Sequence, residues 1–198
     1  MRFILTLVIL LSTFAHADTG LILKLMGQKN GHLLRQGEKR SLEANMILKM
    51  GDEIFSQESI LLIYIKPNLQ ISLSKNAHIK INRSVTDLVK GLVRVRVDKV
   101  SNQENDQKIQ TRDVVVGTSG AEFEIMIEKS KDVELDVFQG EVVVSSPHVH
   151  SFVPEIVKSQ EGLTFRYAKK VFLRRKIQSR FKDPLGFLSR SEIKDKKR

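Results

Sequence analysis

The 198-residue sequence contains no cysteine. This excludes disulfide bonds, and it also excludes the lipidated N-terminal cysteine of a bacterial lipoprotein. Beyond the first residues, no apolar stretch approaches the roughly 20 residues that a membrane-spanning helix requires. The only hydrophobic targeting segment that the sequence predicts therefore lies at its start.

Residues 1–17 have the features of a secretory signal peptide. Arg2 supplies a positive charge, Phe3 to Leu11 is an almost uninterrupted apolar run, and Ala15-His16-Ala17 provides the small residues expected before a cleavage site. The run is too short to cross a bilayer comfortably. We therefore expect cleavage before Asp18 and a soluble, exported protein in the bacterial periplasm. An uncleaved N-terminal anchor is the alternative.

The formal net charge of +10 is concentrated near the C-terminus. Residues 166–198 contain 13 basic and 3 acidic side chains, whereas residues 1–165 contain 20 of each. Any argument for an anionic partner must therefore rest on this last segment. Nucleic acid is not expected as a partner, because export would keep the protein away from it.

Alternating apolar residues predict an all-β fold. Residues 121–127 and 133–137 place apolar side chains on one face and mainly carboxylates on the other. The run Ile60–Ile65 is apolar on both faces, which is typical of a central strand. Similar short runs recur at 8–12 residue intervals over residues 18–168. This spacing favours many antiparallel strands in a sandwich, a roll or a solenoid-like module.

Residues 169–198 have a different pattern. Leu173, Ile177 and Phe181 lie one helical turn apart among basic residues, which predicts a basic amphipathic helix over residues 169–182 and a charged tail after it. One interpretation is that the basic side chains bind an anionic membrane surface or an acidic envelope partner. The other is that the helix packs its apolar stripe on the β module.

Several segments resemble, in the same order, the motifs of the FecR-like extracytoplasmic domain family. They are MGDEIFSQESILLIYI, KGLVRVRV, VGTSGAEFEI, VFQGEVVV and SQEGLTF, and the resemblance runs from about Gly37 to Tyr167. In VGTSGAEFEI, Gly117, Gly120, Glu122 and Phe123 fall on the family run V-G-V-R-G-T-x-F-x-V. Ser119 stands where the family usually has Arg, and Ala121 where it has Thr.

This resemblance implies a β-rich periplasmic or surface module. In iron-transport regulators of the family, such a module follows a cytoplasmic segment and a membrane helix, and it relays the state of an outer-membrane transporter to a sigma factor. The present sequence starts with a signal peptide instead. We therefore expect a stand-alone secreted member without the cytoplasmic anti-sigma segment.

No strong catalytic or metal-binding pattern stands out. His148 and His150 could form half of a metal site, but no companion ligand has a recognisable spacing. Ser119 lies between glycines without the G-x-S-x-G elbow of a serine hydrolase. A group of carboxylates could act as glycosidase acid and base, but we expect them to form the solvated face of a sheet that is buried on one side. This group comprises Glu122, Glu124, Glu128, Glu134, Asp136 and Glu141. Arg94 and Arg96 could pair with this acidic face across strands.

We predict a non-enzymatic binding module of the cell envelope that needs no cofactor and no metal. Its partner is expected to be an envelope protein or a cell-wall component. The alternatives are an envelope enzyme that acts on carbohydrate or peptidoglycan through the acidic face, and a structural subunit of a surface assembly. The predicted contact residues are Gly117, Thr118, Ser119, Gly120 and Glu122 near one turn, and Arg174, Arg175, Lys176 and Arg180 in the basic segment.

Overall fold

The computed structural model describes residues 21–25, 31–43, 46–57, 61–66, 69–82, 85–99, 107–147 and 153–177. Every regular element within these ranges is a β-strand, which confirms the all-β prediction. Accordingly, none of these residues belongs to a helix able to cross a bilayer. The strands are β1 (Leu21–Leu25), β2 (Gly31–Arg35), β3 (Glu38–Ser41), β4 (Met46–Leu48), β5 (Glu53–Ser56), β6 (Leu61–Lys66), β7 (Leu69–Leu73), β8 (His78–Ile81), β9 (Val85–Val97), β10 (Gln107–Gln110), β11 (Val115–Thr118), β12 (Ala121–Ile127), β13 (Val133–Ser145), β14 (Glu155–Lys158), β15 (Glu161–Arg166) and β16 (Val171–Lys176).

Two long strands, β9 and β13, connect the two β-sheets of the fold. Each has 13 residues and contributes one part to each of two sheets. Sheet A has the order β4-β1-β6-β7-β9-β12-β13-β15-β16. Sheet B has the order β3-β2-β5-β8-β9-β10-β11-β13-β14. Because both long strands are shared, the strands form one network that is partly barrel-like.

A register shift and a glycine mark the middle of each long strand. The pairing shifts by one residue there, and Gly91 in β9 and Gly140 in β13 have φ angles of +90° and +75°. An extra residue bends a strand and increases its twist. A Cβ on Gly91 would lie 2.8 Å from Cα of Ala77, and one on Gly140 would collide with the carbonyl oxygen of Gly120. These glycines therefore permit the bends at which β9 and β13 pass between the sheets.

The hydrophobic core lies between the two sheets, because alternate residues of both point inward. Each buried Leu, Ile, Val or Phe side chain contributes about 1.5–3 kcal/mol through the surface it removes from water. One cluster contains side chains from both sheets, among them Ile71, Val95, Phe123, Ile125, Leu135 and Phe165 of sheet A and Leu33, Ile54, Ile79, Val116, Val142 and Val157 of sheet B.

The predicted C-terminal helix is wrong where the structure describes it. Residues 171–176 form β16, which pairs along its whole length with β15, while residues 178–182 lie outside the described part of the chain. Phe172 packs on Phe165 with ring centroids 4.8 Å apart. Leu173, which the helix was expected to bury, is 49% exposed. The sheet therefore continues to Lys176, because pairing satisfies the backbone of β15 and buries Phe172 at the edge of the core.

Candidate functional site

The turn that follows β11 is built around the hydroxyl group of Thr118. Its Oγ1 donates a hydrogen bond to the carbonyl oxygen of Glu141 at 2.9 Å and accepts one from the backbone N–H of Gly120 at 3.1 Å. Thr118 is buried, whereas Ser119 is exposed. Within this turn, Ser119 can contact a partner directly, while Thr118 and Gly120 hold the shape that presents it.

Gly117 lies in a cross-strand row with two exposed apolar side chains. It is the register partner of Val143, and Val143 is the register partner of Ile156. Val143 and Ile156 are 46% and 49% exposed, and neighbours in such a row share one face of the sheet. Among the described strands, β14 is the last of sheet B. We refer to Gly117, Val143 and Ile156 as the sheet B patch.

The carboxylates of β12 and β13 were expected to form a solvated face, and for four of them this expectation is wrong. Glu122, Glu124, Glu134 and Asp136 expose only 2–9% of their surface. They occupy the alternate positions that face away from the hydrophobic core. Glu141, on the sheet B part of β13, is exposed. Alternation thus identified the shared face of the four residues but did not reveal that this face is covered.

We refer to the four buried carboxylates Glu122, Glu124, Glu134 and Asp136 as the buried carboxylate layer. Arg94 of β9 forms ion pairs with the first two of them. Its guanidinium lies 2.7 Å from the carboxylate of Glu122 and 3.4 Å from that of Glu124, so the predicted pairing of Arg94 with the acidic face is confirmed. The guanidinium also stacks on the ring of Phe138, 4.5 Å from its centroid. Arg96, which was expected to join it, lies 3.0 Å from the carboxylate of Asp98 instead.

Arg175 of β16 forms ion pairs with the other two carboxylates of this layer, Glu134 and Asp136. Its guanidinium donates to Asp136 at 2.6 Å and to Glu134 at 3.1 Å. Its Nε donates to the hydroxyl of Thr164 at 3.1 Å. A buried charge without a partner costs several kcal/mol. Arg175 was predicted to contact a partner molecule, but the structure places it in the carboxylate layer.

The other predicted basic contact residues have different surroundings. Arg174 is exposed and forms ion pairs of 3.2 and 2.9 Å with one carboxylate of β14 and one of β15. Lys176 is exposed at the end of β16. Arg180 lies outside the described residues. Among the described residues of this set, Arg174 and Lys176 therefore share one face of β16, and Arg175 lies on the opposite face.

Two histidines stack on the ring of Phe55, which lies between them across β2, β5 and β8. The centroids of His32 and His78 are 4.6 and 3.9 Å from that of Phe55. Burial lowers the pKa of both imidazoles, and for His78 it outweighs the opposing effect of Glu53, whose carboxylate lies 3.0 Å away. The His148/His150 pair lies outside the described residues, within which no group of possible metal ligands occurs.

Three turns meet at one end of the molecule, at residues 111–114, 128–132 and 167–170. Sequence patterns do not reveal this cluster, because its members are far apart in the chain. Asp132 accepts hydrogen bonds from Arg166 at 2.7 Å and from the backbone N–H of Tyr167 at 2.9 Å. Burial acts to raise the pKa of Asp132, but these hydrogen bonds together lower it. Lys170 binds Asp113 at 3.0 Å. We refer to this region as the three-turn end.

Comparison with known proteins identifies relatives of this chain. Residues 52–143 match the family model described as FecR protein. Two crystal structures of a candidate anti-sigma factor from Parabacteroides distasonis ATCC 8503, at 1.65 and 2.50 Å resolution, are similar with TM-scores of 0.51 and identities of 15% and 14%. Each alignment covers 63% of this chain and 59% of the other, so the chain spans less than two thirds of those structures. The comparison with curated proteins returned no match.

The similar structures establish a shared β architecture, since identities this low support the fold alone. The family match lies inside the segment whose motifs predicted the same family, and it spans strands from β5 to β13. Both the bent strand β9 and the turn at Ser119 lie within it. Residues 52–143 of this chain therefore match the FecR family, the family that the motifs resembled.

Proposed function

We propose that this protein is a non-enzymatic binding module of the bacterial cell envelope, with an envelope protein or a cell-wall component as its partner. The observation that carries this proposal is the buried carboxylate layer. A glycosidase needs two carboxylates beside an accessible scissile bond. Here four of the carboxylates that could have served as acid and base are buried, and they form ion pairs with the guanidinium groups of Arg94 and Arg175. The FecR match supports a sensing or regulatory role in the envelope.

We place the contact surface on sheet B, around Ser119 and the sheet B patch. Val143 and Ile156 supply apolar contact area beside a strand, β14, at the end of the sheet. A strand edge can accept a partner strand through backbone hydrogen bonds, while neighbouring side chains provide specificity. Ser119 replaces the Arg usual in the family, so the partner of this protein is expected to differ from those of the iron-transport regulators.

Crosslinking in intact cells tests this surface. The double variant Val143→Glu with Ile156→Glu adds two charges to the sheet B patch, and we expect it to lose the partner that the wild type captures. Ile47→Glu is the matched control, because Ile47 is 57% exposed on β4 of sheet A. Equal capture of the same partner by all three proteins would contradict the proposed surface. Capture of the chain by itself, with a mass that rises with concentration, would favour a structural subunit instead.

The basic C-terminal segment is proposed to assist attachment to an anionic membrane surface. Because β16 is part of the sheet, the informative truncation removes residues 178–198 and keeps Val171–Lys176. Sedimentation with anionic and with zwitterionic vesicles compares the truncated and full-length proteins. Binding to anionic vesicles that disappears on truncation supports the proposal, since the attraction is electrostatic. Equal sedimentation of both proteins would assign attachment to the β module.

Export to the periplasm is a separate part of the proposal. Mass spectrometry of the protein recovered from a bacterial periplasmic extract should find a chain that begins at Asp18. A chain recovered from the cytoplasm with Met1 to Ala17 intact would contradict export. The envelope partner would then have to be abandoned as well.

A further inference from the structure

We infer that a polar pocket at the β3 edge of sheet B binds a phosphate group, either as the free ion or on a small ester. The described residues that line it are Gly31 and His32 of β2, Lys39, Arg40 and Ser41 of β3, and Gln57 directly after β5. The pocket has a volume of about 340 Å³, which falls in the range of small-molecule sites in proteins. All of these residues except Gln57 precede the segment that matches the FecR model. The pocket shares no residue with the sheet B patch, and it therefore goes beyond the envelope-partner proposal.

Three polar side chains of the pocket lie on the face of sheet B that points away from the core. Lys39 and Ser41 are two residues apart on β3 and therefore share a face. Ser41 is the register partner of His32, and neighbours in such a row lie on the same face. Leu33, the next residue along β2, points into the core instead. An ammonium group, a hydroxyl group and an imidazole are thus directed to the same side of the β2–β3 hairpin.

The lining of the pocket is cationic. Lys39 forms no ion pair with any residue that the structure describes. Arg40 lies 2.8 Å from the carboxylate of Glu38, but both side chains are exposed, and such a pair contributes little. Among the described lining residues there is no carboxylate. An anion in the pocket would therefore meet the ammonium group of Lys39 without competition from an acidic neighbour in the lining.

His32 provides a second, independent observation. Its Nδ1 atom is buried and has no hydrogen-bond partner among the described residues. A buried polar atom without a partner is costly, and in native structures it is explained by a bound water or ion. Nδ1 carries a proton in one neutral tautomer of the imidazole and in the imidazolium ion. In both of these forms it would donate to an oxygen of a bound oxyanion.

The set of donors favours a tetrahedral oxyanion over a carboxylate. The side chains of Lys39, Arg40, Ser41 and Gln57 all carry N–H or O–H donors, and they line the pocket from two separate segments of the chain. A phosphate group presents oxygens in three or more directions, whereas a carboxylate presents two in one plane. Lysine and arginine both bind phosphate through charge-assisted hydrogen bonds.

Binding should also be coupled to the protonation of His32. Burial, followed by the nearby charge of Lys39, holds the pKa of this imidazole below its ordinary value. The other charged groups around it are Arg40 and, beyond the aromatic ring on which it stacks, His78 with its partner Glu53. A bound anion would offset the positive charges and raise the pKa. An oxyanion of constant charge should therefore bind more tightly as the pH falls.

Calorimetric titration of the full chain with inorganic phosphate and with glycerol phosphate tests this site. We expect saturable binding at one site, with acetate binding at least about tenfold more weakly, which corresponds to about 1.4 kcal/mol. Lys39→Gln should weaken phosphate binding by about tenfold as well. Lys75→Gln is the matched control, because Lys75 is exposed in the turn between β7 and β8 and does not line the pocket. Tighter binding of the ester would identify phosphate on a larger molecule as the ligand, and tighter binding of the inorganic ion would identify free phosphate.

Sulfate is the probe for the pH dependence, because its charge stays constant between pH 7.5 and 5.5. The affinity of the wild type for sulfate should rise by about threefold over this range, and His32→Gln should remove the rise without abolishing binding. Thermal unfolding of each variant establishes that it is folded. NMR titration of the His32 ring protons, with and without sulfate, measures the coupling in the wild type even if His32→Gln does not fold.

The inference is overturned if phosphate shows no saturable binding, if acetate binds as tightly, or if Lys75→Gln weakens binding as much as Lys39→Gln does. A sulfate affinity that is independent of pH would overturn it as well. The variant Val143→Glu with Ile156→Glu should bind phosphate like the wild type. The phosphate site and the envelope-partner surface can therefore fail separately.

Discussion

Arg175 and Asp136 form a bidentate ion pair across an intervening strand, with Nη1 2.6 Å from Oδ1 and Nη2 3.1 Å from Oδ2. The residue between them is Gly162 of β15, which is the register partner of both. A Cβ on Gly162 would lie 2.6 Å from Oδ1 of Asp136 and 2.9 Å from Nη1 of Arg175. The missing side chain therefore leaves the gap through which the guanidinium reaches the carboxylate.

Arg175→Met should destabilise the protein by about 2–4 kcal/mol, because it leaves Asp136 buried without this cation and removes one partner of Glu134. Urea unfolding followed by circular dichroism measures this loss. Arg174→Met is the control on the same strand, since solvent screens the ion pairs of Arg174, and it should leave the midpoint unchanged within error. Equal effects of the two substitutions would show that the buried layer is not what holds β16 to the sheet.

Gly162→Ala tests whether the contact between Arg175 and Asp136 requires a residue without a side chain at position 162. The added methyl group should displace the Arg175 guanidinium from Asp136, and the loss should be non-additive with that of Arg175→Met, since both remove the same interaction. Gly117→Ala is the control, because a Cβ there would make only ordinary contacts, the nearest at 3.9 Å. Additive losses in the double variant of Gly162 and Arg175 would mean that the glycine serves another purpose.

Gly140→Ala should cost about 2–4 kcal/mol, because it combines positive φ with a collision against backbone. Gly37→Ala separates the two causes. Gly37 has φ +83°, but a Cβ there would meet nothing within 4 Å, so the substitution should cost only about 1 kcal/mol. Urea midpoints of the two variants provide the comparison. Similar values would show that the bend of β13 can relax away from Gly120.

The sequence allowed the central strands to be predicted, because a two-residue period is a direct consequence of strand geometry. The apolar run Ile60–Ile65 was expected to be a central strand, and β6 lies between β1 and β7. The alternation in residues 121–127 and 133–137 corresponds to β12 and the first part of β13. The FecR motifs added the family, which periodicity alone does not indicate.

The C-terminal segment was misassigned for an identifiable reason. Residues four apart, such as Leu173 and Ile177, share a face both in a helix and in a strand. The spacing was therefore compatible with β16. Whether the segment forms a helix or a strand depends on tertiary partners that the sequence does not display. These partners are the pairing positions of β15 and the carboxylates of Glu134 and Asp136 on β13. Alternation likewise identified the acidic face of sheet A but not its burial.

The stability of the protein should decrease as the pH falls below about 6.5, because of His32 and His78. Burial lowers the pKa of both imidazoles below the value of 6.5 expected in the unfolded chain. The folded state then binds fewer protons than the unfolded state. The stabilisation is complete above pH 6.5 and is lost as the pH falls toward the folded-state values. Protonation would also place positive charge near Lys39 at His32, and near Lys80 and Lys90 at His78.

Urea midpoints measured between pH 7.5 and 5 test this expectation, and NMR titration of the ring protons follows each imidazole directly. His78→Gln should flatten the pH dependence, because glutamine does not titrate. Glu53→Gln should steepen it, since the carboxylate 3.0 Å from the ring opposes the effect of burial. A midpoint that rises on acidification, or a slope unaffected by His78→Gln, would show that the two stacked rings keep their ordinary proton affinity in the folded protein.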